Sequence, residues 1–174
     1  SWIQNNLGRM YYNGRGVQQS YKDAFEWYEK AAKQGNSKAQ HNLAFMYANG
    51  RGVKQSNKDA FEWYKKAADQ GYSWSQHNLG FKYENGRGVQ QSDEDAVKWY
   101  QRAADQENSW AQNNLGFMYE NGRGVTKSDE EAVKWYQKAA DQGYLWAQNN
   151  LGIMYYNGRG VTKSDEEAVK WYQK

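Results

Sequence analysis

Asn-Gly-Arg-Gly-Val occupies residues 13–17, 49–53, 85–89, 121–125 and 157–161, each copy beginning 36 residues after the one before. A fixed period of that length marks a repeat architecture, in which each unit buries its apolar face on its neighbours. Such arrays build long surfaces rather than closed pockets, so the period points to binding before catalysis. Reading outward from the pentapeptide, the unit Ala31–Lys66 recurs in register as Ala67–Arg102, Ala103–Lys138 and Ala139–Lys174, after a first copy over residues 1–30 that lacks six positions. These units account for all 174 residues and predict one repeat domain over 1–174. The clipped first copy gives the chain the look of a fragment of a longer array, its native N-terminus absent. Gln40, Asn42, Leu43, Tyr47, Val53, Ser56, Ala60, Trp63 and Tyr64 stand for columns identical in all five copies. Residues 121–138 and 157–174 are the same 18 residues, so part of that identity records recent duplication. Columns that vary against this background carry more information.

Mean hydropathy is low, −1.21, which raises the question of disorder. Nine Trp, 15 Tyr and five Phe answer it, because disordered chains are poor in aromatics. The core is therefore expected from Trp, Tyr, Leu and Ala. No apolar run approaches the roughly 18 residues of a membrane span, so no membrane insertion is expected. With 23 basic against 20 acidic residues, the charge is too balanced to imply a nucleic-acid partner. The absence of Cys removes disulfides, thiol catalysis and Cys-based zinc sites. It leaves the cellular compartment undefined.

Within Ser37–Ala48, Ala39, Leu43, Met46 and Tyr47 fall at i, i+4, i+7 and i+8, one face of a helix. Asn49-Gly50 ends it, Gly50 taking a left-handed conformation past the last turn. A second helix opens at Ser56, with an acid three residues on in every copy; Glu131 and Glu167 match a capping box, and Asp23, Asp59 and Asp95 match it less well. Ala60, Trp63, Tyr64, Ala67 and Ala68 form its buried stripe. Gly35, Gly71 and Gly143 close it, whereas Glu107 stands in their column and predicts a turn that is either strained or differently shaped. Glu94–Lys98, Glu130–Lys134 and Glu166–Lys170 predict i,i+4 pairs on a solvated outer face.

The combined pattern resembles the Sel-one-like repeat (SLR) family, a relative of tetratricopeptide repeats. The residues that carry it are Ala111-Gln112-Asn113-Asn114-Leu115-Gly116, Tyr119, Asn121-Gly122-Arg123-Gly124-Val125, Ala132, Trp135-Tyr136, Lys138-Ala139-Ala140 and Gln142-Gly143, and the match runs through the whole chain. Ala44, Ser75, Ile3, Lys82 and Glu107 depart from it locally. The resemblance implies an all-α fold, a right-handed α/α superhelical solenoid of 36-residue helix-turn-helix repeats, with the first helix of each unit lining the concave side. It also implies an adaptor role in protein assemblies.

Beside the core face of the first helix runs a stripe at positions 38, 41, 45, 48 and 49 of the reference unit. It is variable and rich in large aromatics. Its candidate ligand-binding residues are Trp74, Trp110 and Trp146; His41, His77, Asn113 and Asn149; Phe45, Phe81 and Phe117; and Glu84 and Glu120. Contiguous exposed aromatics mark interaction surfaces, and Asn and His between them suit the polar backbone of a peptide. The competing expectation packs the Trp residues between neighbouring first helices, which Lys38 in the same column opposes. Asn42, Asn78, Asn114 and Asn150 read as structural hydrogen bonds to a loop between helices. Arg15, Arg51, Arg87, Arg123 and Arg159 read as loop arginines paired with nearby acids.

These features predict a scaffold that binds an extended peptide or partner protein on its concave face, without cofactor or metal. Trp platforms also suit sugar rings, so carbohydrate binding is the alternative. A β-lactamase-like hydrolase requires a Ser-x-x-Lys pair and Lys-Thr-Gly, and neither occurs. His41 and His77, the only histidines, have no carboxylate column beside them and make a poor metal site. Trp2, Leu7 and Tyr11 at one end and Trp171 and Tyr172 at the other are core-type residues short of neighbours, which predicts weak head-to-tail self-association.

Overall fold

Each repeat folds as two helices because its apolar residues recur at helical spacing and its glycines fall where a helix must stop. The computed structural model describes Ser1–Lys174 as ten helices and no strand. Residues 1–91 form one compact unit and residues 92–174 another. The first holds α1 (Trp2–Asn13), α2 (Tyr21–Lys33), α3 (Ser37–Asn49), α4 (Asn57–Asp69) and α5 (Ser73–Asn85). The second holds α6 (Asp93–Ala104), α7 (Ser109–Asn121), α8 (Asp129–Asp141), α9 (Leu145–Asn157) and α10 (Asp165–Tyr172). Odd-numbered helices are the first of each repeat and even-numbered helices the second.

The pentapeptide explains its own recurrence. Its Asn side chain donates back one turn, from Asn49 to the Phe45 carbonyl at 2.8 Å, with equivalent bonds from Asn13, Asn85, Asn121 and Asn157. This covers one of the carbonyls that a helix end leaves unpaired. The first Gly is left-handed, φ 65° at Gly50, and its N–H caps Met46. The second Gly is left-handed too, and it also lies against the opening residue of the second helix one repeat earlier. A Cβ on Gly52, Gly88, Gly124 or Gly160 would overlap the backbone carbonyl of Tyr21, Asn57, Asp93 or Asp129, respectively. The second Gly is therefore a point where one repeat rests on the previous one, beyond the tight connection read from sequence.

The capping box forms only in half. Ser20, Ser56, Ser92, Ser128 and Ser164 accept from the N–H three residues on, at 3.1–3.2 Å. The reciprocal bond from the acid is not made. The N–H groups of Ser20, Ser56, Ser128 and Ser164 donate instead to the carbonyls of Tyr11, Tyr47, Tyr119 and Tyr155, all at 3.0 Å. This frees the acids for lysines. Lys98 pairs with Asp95 and Lys134 with Glu131, three residues apart rather than the four expected, and only Lys170 also reaches its i−4 partner, Glu166, at 3.4 Å. Glu94 and Glu130 accept from the capping hydroxyls of Ser92 and Ser128.

Small residues let the helices approach and Tyr rings fill between them. Ala24, Tyr28, Ala31, Ala32, Ala39, Leu43 and Met46 form one buried cluster across α2 and α3. Ala132, Tyr136, Ala139, Ala140, Ala147, Leu151 and Met154 repeat it across α8 and α9. Trp63, read as core, is half-buried, while Trp135 and Trp171 are buried. Each Trp of this column is covered by the cation three residues on, from Lys174 at 3.6 Å over Trp171 to Lys30 and Arg102 at 4.5 Å over Trp27 and Trp99. Of the residues expected to be short of neighbours, Trp2 and Tyr172 are exposed, Leu7 and Tyr11 half-buried and Trp171 buried.

The invariant Gln column makes a polar relay between repeats. Gln40 donates to the Ala32 carbonyl at the end of α2 (3.2 Å) and accepts from Gln70 at 2.6 Å. Gln112 repeats both bonds, with Ala104 and Gln142. Two of the invariant Asn residues pair with an Asn of the adjacent variable column in the preceding repeat rather than with a loop. Asn42 donates to Asn5 at 3.1 Å and Asn150 to Asn113 at 3.0 Å, joining first helices of successive repeats. Glu107 is the only non-glycine residue with positive φ, 62°, in the column where Gly35, Gly71 and Gly143 lie at 81–88°. The strained turn read from its sequence is present.

Candidate functional site

In the first unit the face of α1, α3 and α5 carries an aromatic row. Trp74 is 42% exposed, and Phe45 and Phe81 stand exposed beside it. A cleft of about 330 Å³ between α1 and α3 is bounded by Arg9, Tyr12, Tyr28, His41, Asn42 and Phe45. Tyr12 meets Phe45 edge-on, centroids 6.5 Å apart. His41 lies between Tyr64 and Tyr72, with Nδ1 2.9 Å from the Ser75 hydroxyl. The departure at Ser75 thus gives His41 a partner in the next repeat. His77 is buried beneath the face rather than presented on it. Burial pulls both imidazoles down to about 4, with the charge of His77 adding to the effect on His41, so both are neutral near pH 7. Glu84 is half-buried.

The second unit repeats the row on α7 and α9. Trp110 is 47% and Trp146 69% exposed, and Phe117 is exposed. Trp110 is stacked obliquely on Tyr144, centroids 5.5 Å apart and planes inclined by 38°. Asn149 is exposed, while Asn113 is half-buried and accepts from Asn150. Glu120 is engaged within the fold, accepting from Tyr136 Oη at 2.7 Å and pairing with Arg159 at 2.8 Å. The stripe thus sorts into an exposed part (the three Trp and three Phe with Asn149), a part that ties repeats together (His41, Asn113 and Glu120) and the buried His77 and half-buried Glu84.

The Arg column behaves differently in the two units. Arg123 grips Asp93 with two bonds, Nε at 3.1 Å and Nη2 at 2.7 Å, and Arg159 grips Asp129 in the same way. This is the loop-Arg pairing read from sequence. In the first unit the residues at the Asp positions are Tyr21 and Asn57. Arg51 stacks on Tyr12, Tyr21 and Phe45 at 5.4–5.6 Å, and Arg87 on Phe81 at 5.2 Å. Lys82, noted in sequence only as a departure, is buried (6% exposed) in a column where Met46, Met118 and Met154 are fully buried. No group of three metal-ligating side chains assembles anywhere on this frame.

Helix pairs in a 36-residue register, with apolar residues spent on inter-repeat packing and an aromatic row left outside, define an all-α repeat protein built around its surfaces. The Sel1 repeat matches at residues 4–36, 37–72, 75–108, 111–144 and 147–174, and the chain belongs to that family. Among solved structures, it is similar to a protective antigen present in uropathogenic Escherichia coli strains that displays an SLR fold. The two share 40% identity at a TM-score of 0.94, over 98% of this chain and 36% of that one. A Sel1 repeat protein from Oxalobacter formigenes is 35% identical at a TM-score of 0.94, over 98% and 68%. Cysteine-rich protein B of Helicobacter pylori is 28% identical at a TM-score of 0.58, over 77% and 96%. The chain thus spans about a third of the first of these proteins. No curated protein matches it significantly. Sel1 repeat proteins generally act as protein-interaction scaffolds.

Proposed function

We propose that this chain is an interaction scaffold or adaptor that binds an extended peptide or a partner protein along the concave face lined by its first helices. The observation that carries the reading is the exposure of Trp74, Trp110 and Trp146 with Phe45, Phe81 and Phe117 in one column set, joined on α9 by the exposed Leu145, Ile153 and Tyr156. The exposed part of an aromatic ring contributes nothing to folding, whereas on contact it supplies the large rigid area typical of binding hot spots. Asn149 supplies amide groups for a peptide backbone, and His41 and Asn113 flank the row while holding adjacent repeats together.

Replacing Trp74, Trp110 and Trp146 together with Ala tests the proposal. The variant should keep its helical circular dichroism while losing the proteins that the wild type captures from native lysate. Each truncation should lower stability by less than the roughly 3–5 kcal/mol of a buried Trp. Unchanged capture, or unfolding of the variant at room temperature, would overturn it. Trp fluorescence quenched by oligosaccharides and not by peptides would assign the same row to sugar.

A further inference from the structure

The repeats serve as internal controls for one another at the cleft between α3 and α5. In the second unit, Arg159 faces two carboxylates, Asp129 at the opening of α8 and Glu120 on α7. The residues at the same places around Arg87 are Asn57 and Ala48. Both acids are missing, and Lys82 stands in a column that is otherwise Met. One cation facing two carboxylates in one setting becomes two cations facing none in the other.

The geometry gathers these cations rather than dispersing them. Lys82, Arg87 and Asn57 line one cleft of about 340 Å³ with Phe45, Phe81 and Asn78, and no Asp or Glu lines it. Lys82 Nζ donates to Asn57 Oδ1 at 2.8 Å, a neutral acceptor for one of the three protons an ammonium offers. Phe81 stacks on the Arg87 guanidinium, which leaves the N–H edge of the fork available. Asn57, the opening residue of α4, lines the cleft as an amide where the later repeats carry Asp. Burial, then the charge of Arg87, holds Lys82 below the ordinary lysine range. A buried ammonium beside a second cation weakens the fold, and the fully buried Met46, Met118 and Met154 show that the fold does not need it.

We propose that this cleft is an oxyanion-binding site, in which Lys82 and Arg87 hold a carboxylate or phosphate group where Arg123 and Arg159 find the carboxylates of Asp93 and Asp129. The ligand group is compact, bears at least one negative charge and presents two oxygens to the guanidinium fork. It reaches the cleft between the exposed rings of Phe45 and Phe81, which lie in the aromatic row. The first unit suits such a ligand in its wider charge, with 13 Lys and Arg against seven Asp and Glu over residues 1–91, where residues 92–174 have ten against 13.

The test is a titration of the ¹H–¹⁵N spectrum with sodium phosphate and, separately, with sodium acetate, ionic strength being held constant with sodium chloride. It compares the wild type with Lys82→Met and Asn57→Asp. Each substitution copies a residue that other repeats already carry, so the fold is retained, and if one variant fails to fold the other decides. Saturable shifts are expected at Asn57, Lys58 and Arg87 in the wild type, with affinity lowered roughly tenfold or more in either variant, as loss of a charge-assisted bond implies. The anion that saturates at lower concentration identifies the group as phosphate or carboxylate. Linear shifts scattered over the basic residues, no shifts at all, or equal affinities in wild type and variants would overturn the proposal, whatever becomes of partner binding along the aromatic row.

Discussion

Glu107→Gly should stabilise the protein. Glu107 adopts φ 62° where three other repeats use Gly. The left-handed region costs an L-residue about 1–2 kcal/mol. Glycine gives back part of that difference, about 0.5–1 kcal/mol, through its greater freedom in the unfolded chain. The net expectation is a gain of about 0.5–1 kcal/mol. The Glu107 side chain does not offset this, since it is exposed in a cleft shared with Lys138 and exposed charge pairs are worth less than about 1 kcal/mol. The reverse exchange supplies a control within the same unit. A Cβ built on Gly143 meets nothing within 4 Å, so Gly143→Glu adds backbone strain without a clash and should lose a similar amount. Urea unfolding followed by circular dichroism measures both. Midpoints count only where the slope is unchanged, because repeat arrays can depart from two-state behaviour. In a thermal scan the gain corresponds to about 1–4 °C for a chain of this size. A Glu107→Gly midpoint that stays put or falls at constant slope, or a neutral Gly143→Glu, would refute the argument from backbone conformation.

Three further outcomes follow from the packing and the buried ionisable groups. Gly116→Ala should lose about 1–3 kcal/mol in urea midpoint, because the new Cβ would sit 2.7 Å from Tyr136 Cδ1 on a ring held by its hydroxyl bond to Glu120. Ala44 already fills this column in the second repeat, where Ala48 replaces the acid, so pairing Gly116→Ala with Glu120→Ala should lose less than the sum of the two. His41 and His77 are depressed to about 4 by burial, so the unfolded chain binds more protons between about pH 6.5 and 4. Stability should fall as pH drops through that window, by up to roughly 3 kcal/mol per histidine. His41→Asn with His77→Asn, the residue of the other repeats, should flatten the profile, and an unflattened profile would assign the loss to carboxylates. Lys82→Met should raise stability by about 1 kcal/mol at pH 7 as a buried charge gives way to an apolar side chain. Because the folded pKa of Lys82 lies below its unfolded value, the wild type should recover part of that difference as pH rises toward 10.5, measured by urea midpoints at pH 7 and 10.

The period, the two helices of each repeat and the left-handed turn at Glu107 were legible because they rest on local chemistry: apolar spacing, Ser before an acid, Gly after a helix. What was illegible lies between repeats. Asn42 is invariant, yet nothing in its own neighbourhood says that its amide meets Asn5 in the preceding repeat. The Ser capping pattern is local, but the reciprocal half of the box is pre-empted by the carbonyls of Tyr11, Tyr47, Tyr119 and Tyr155, nine residues back. The lysines chose acids three residues away because those acids were left free. For the candidate face, the aromatic column was visible and the exposure of its Trp residues was not. Lys38 in the column was the only available sign, and it pointed to the exposure that the structure shows.

The same distinction explains why Lys82 stands in the sequence only as a local departure. Residue 82 differs from its column, as do residues 48 and 57 from the later copies, but in sequence these are three unrelated changes separated by nine and 25 positions. They become one change when the turn carrying Arg87 and Gly88 is seen resting on the opening residue of α4, one repeat upstream. A solenoid turns such offsets into contacts, since each side chain on its surface has neighbours about one period away as well as one turn away. A repeat alignment read down its columns therefore misses sites composed diagonally, from one column in repeat n and another in repeat n+1. Reading the diagonals here separates the arginines with carboxylate partners, Arg123 and Arg159, from Arg51 with its aromatic cage and from Arg87 with Lys82 beside it. The last combination places like charges together in a cleft that has no acid, and an anion from outside the chain is the simplest chemistry that balances it.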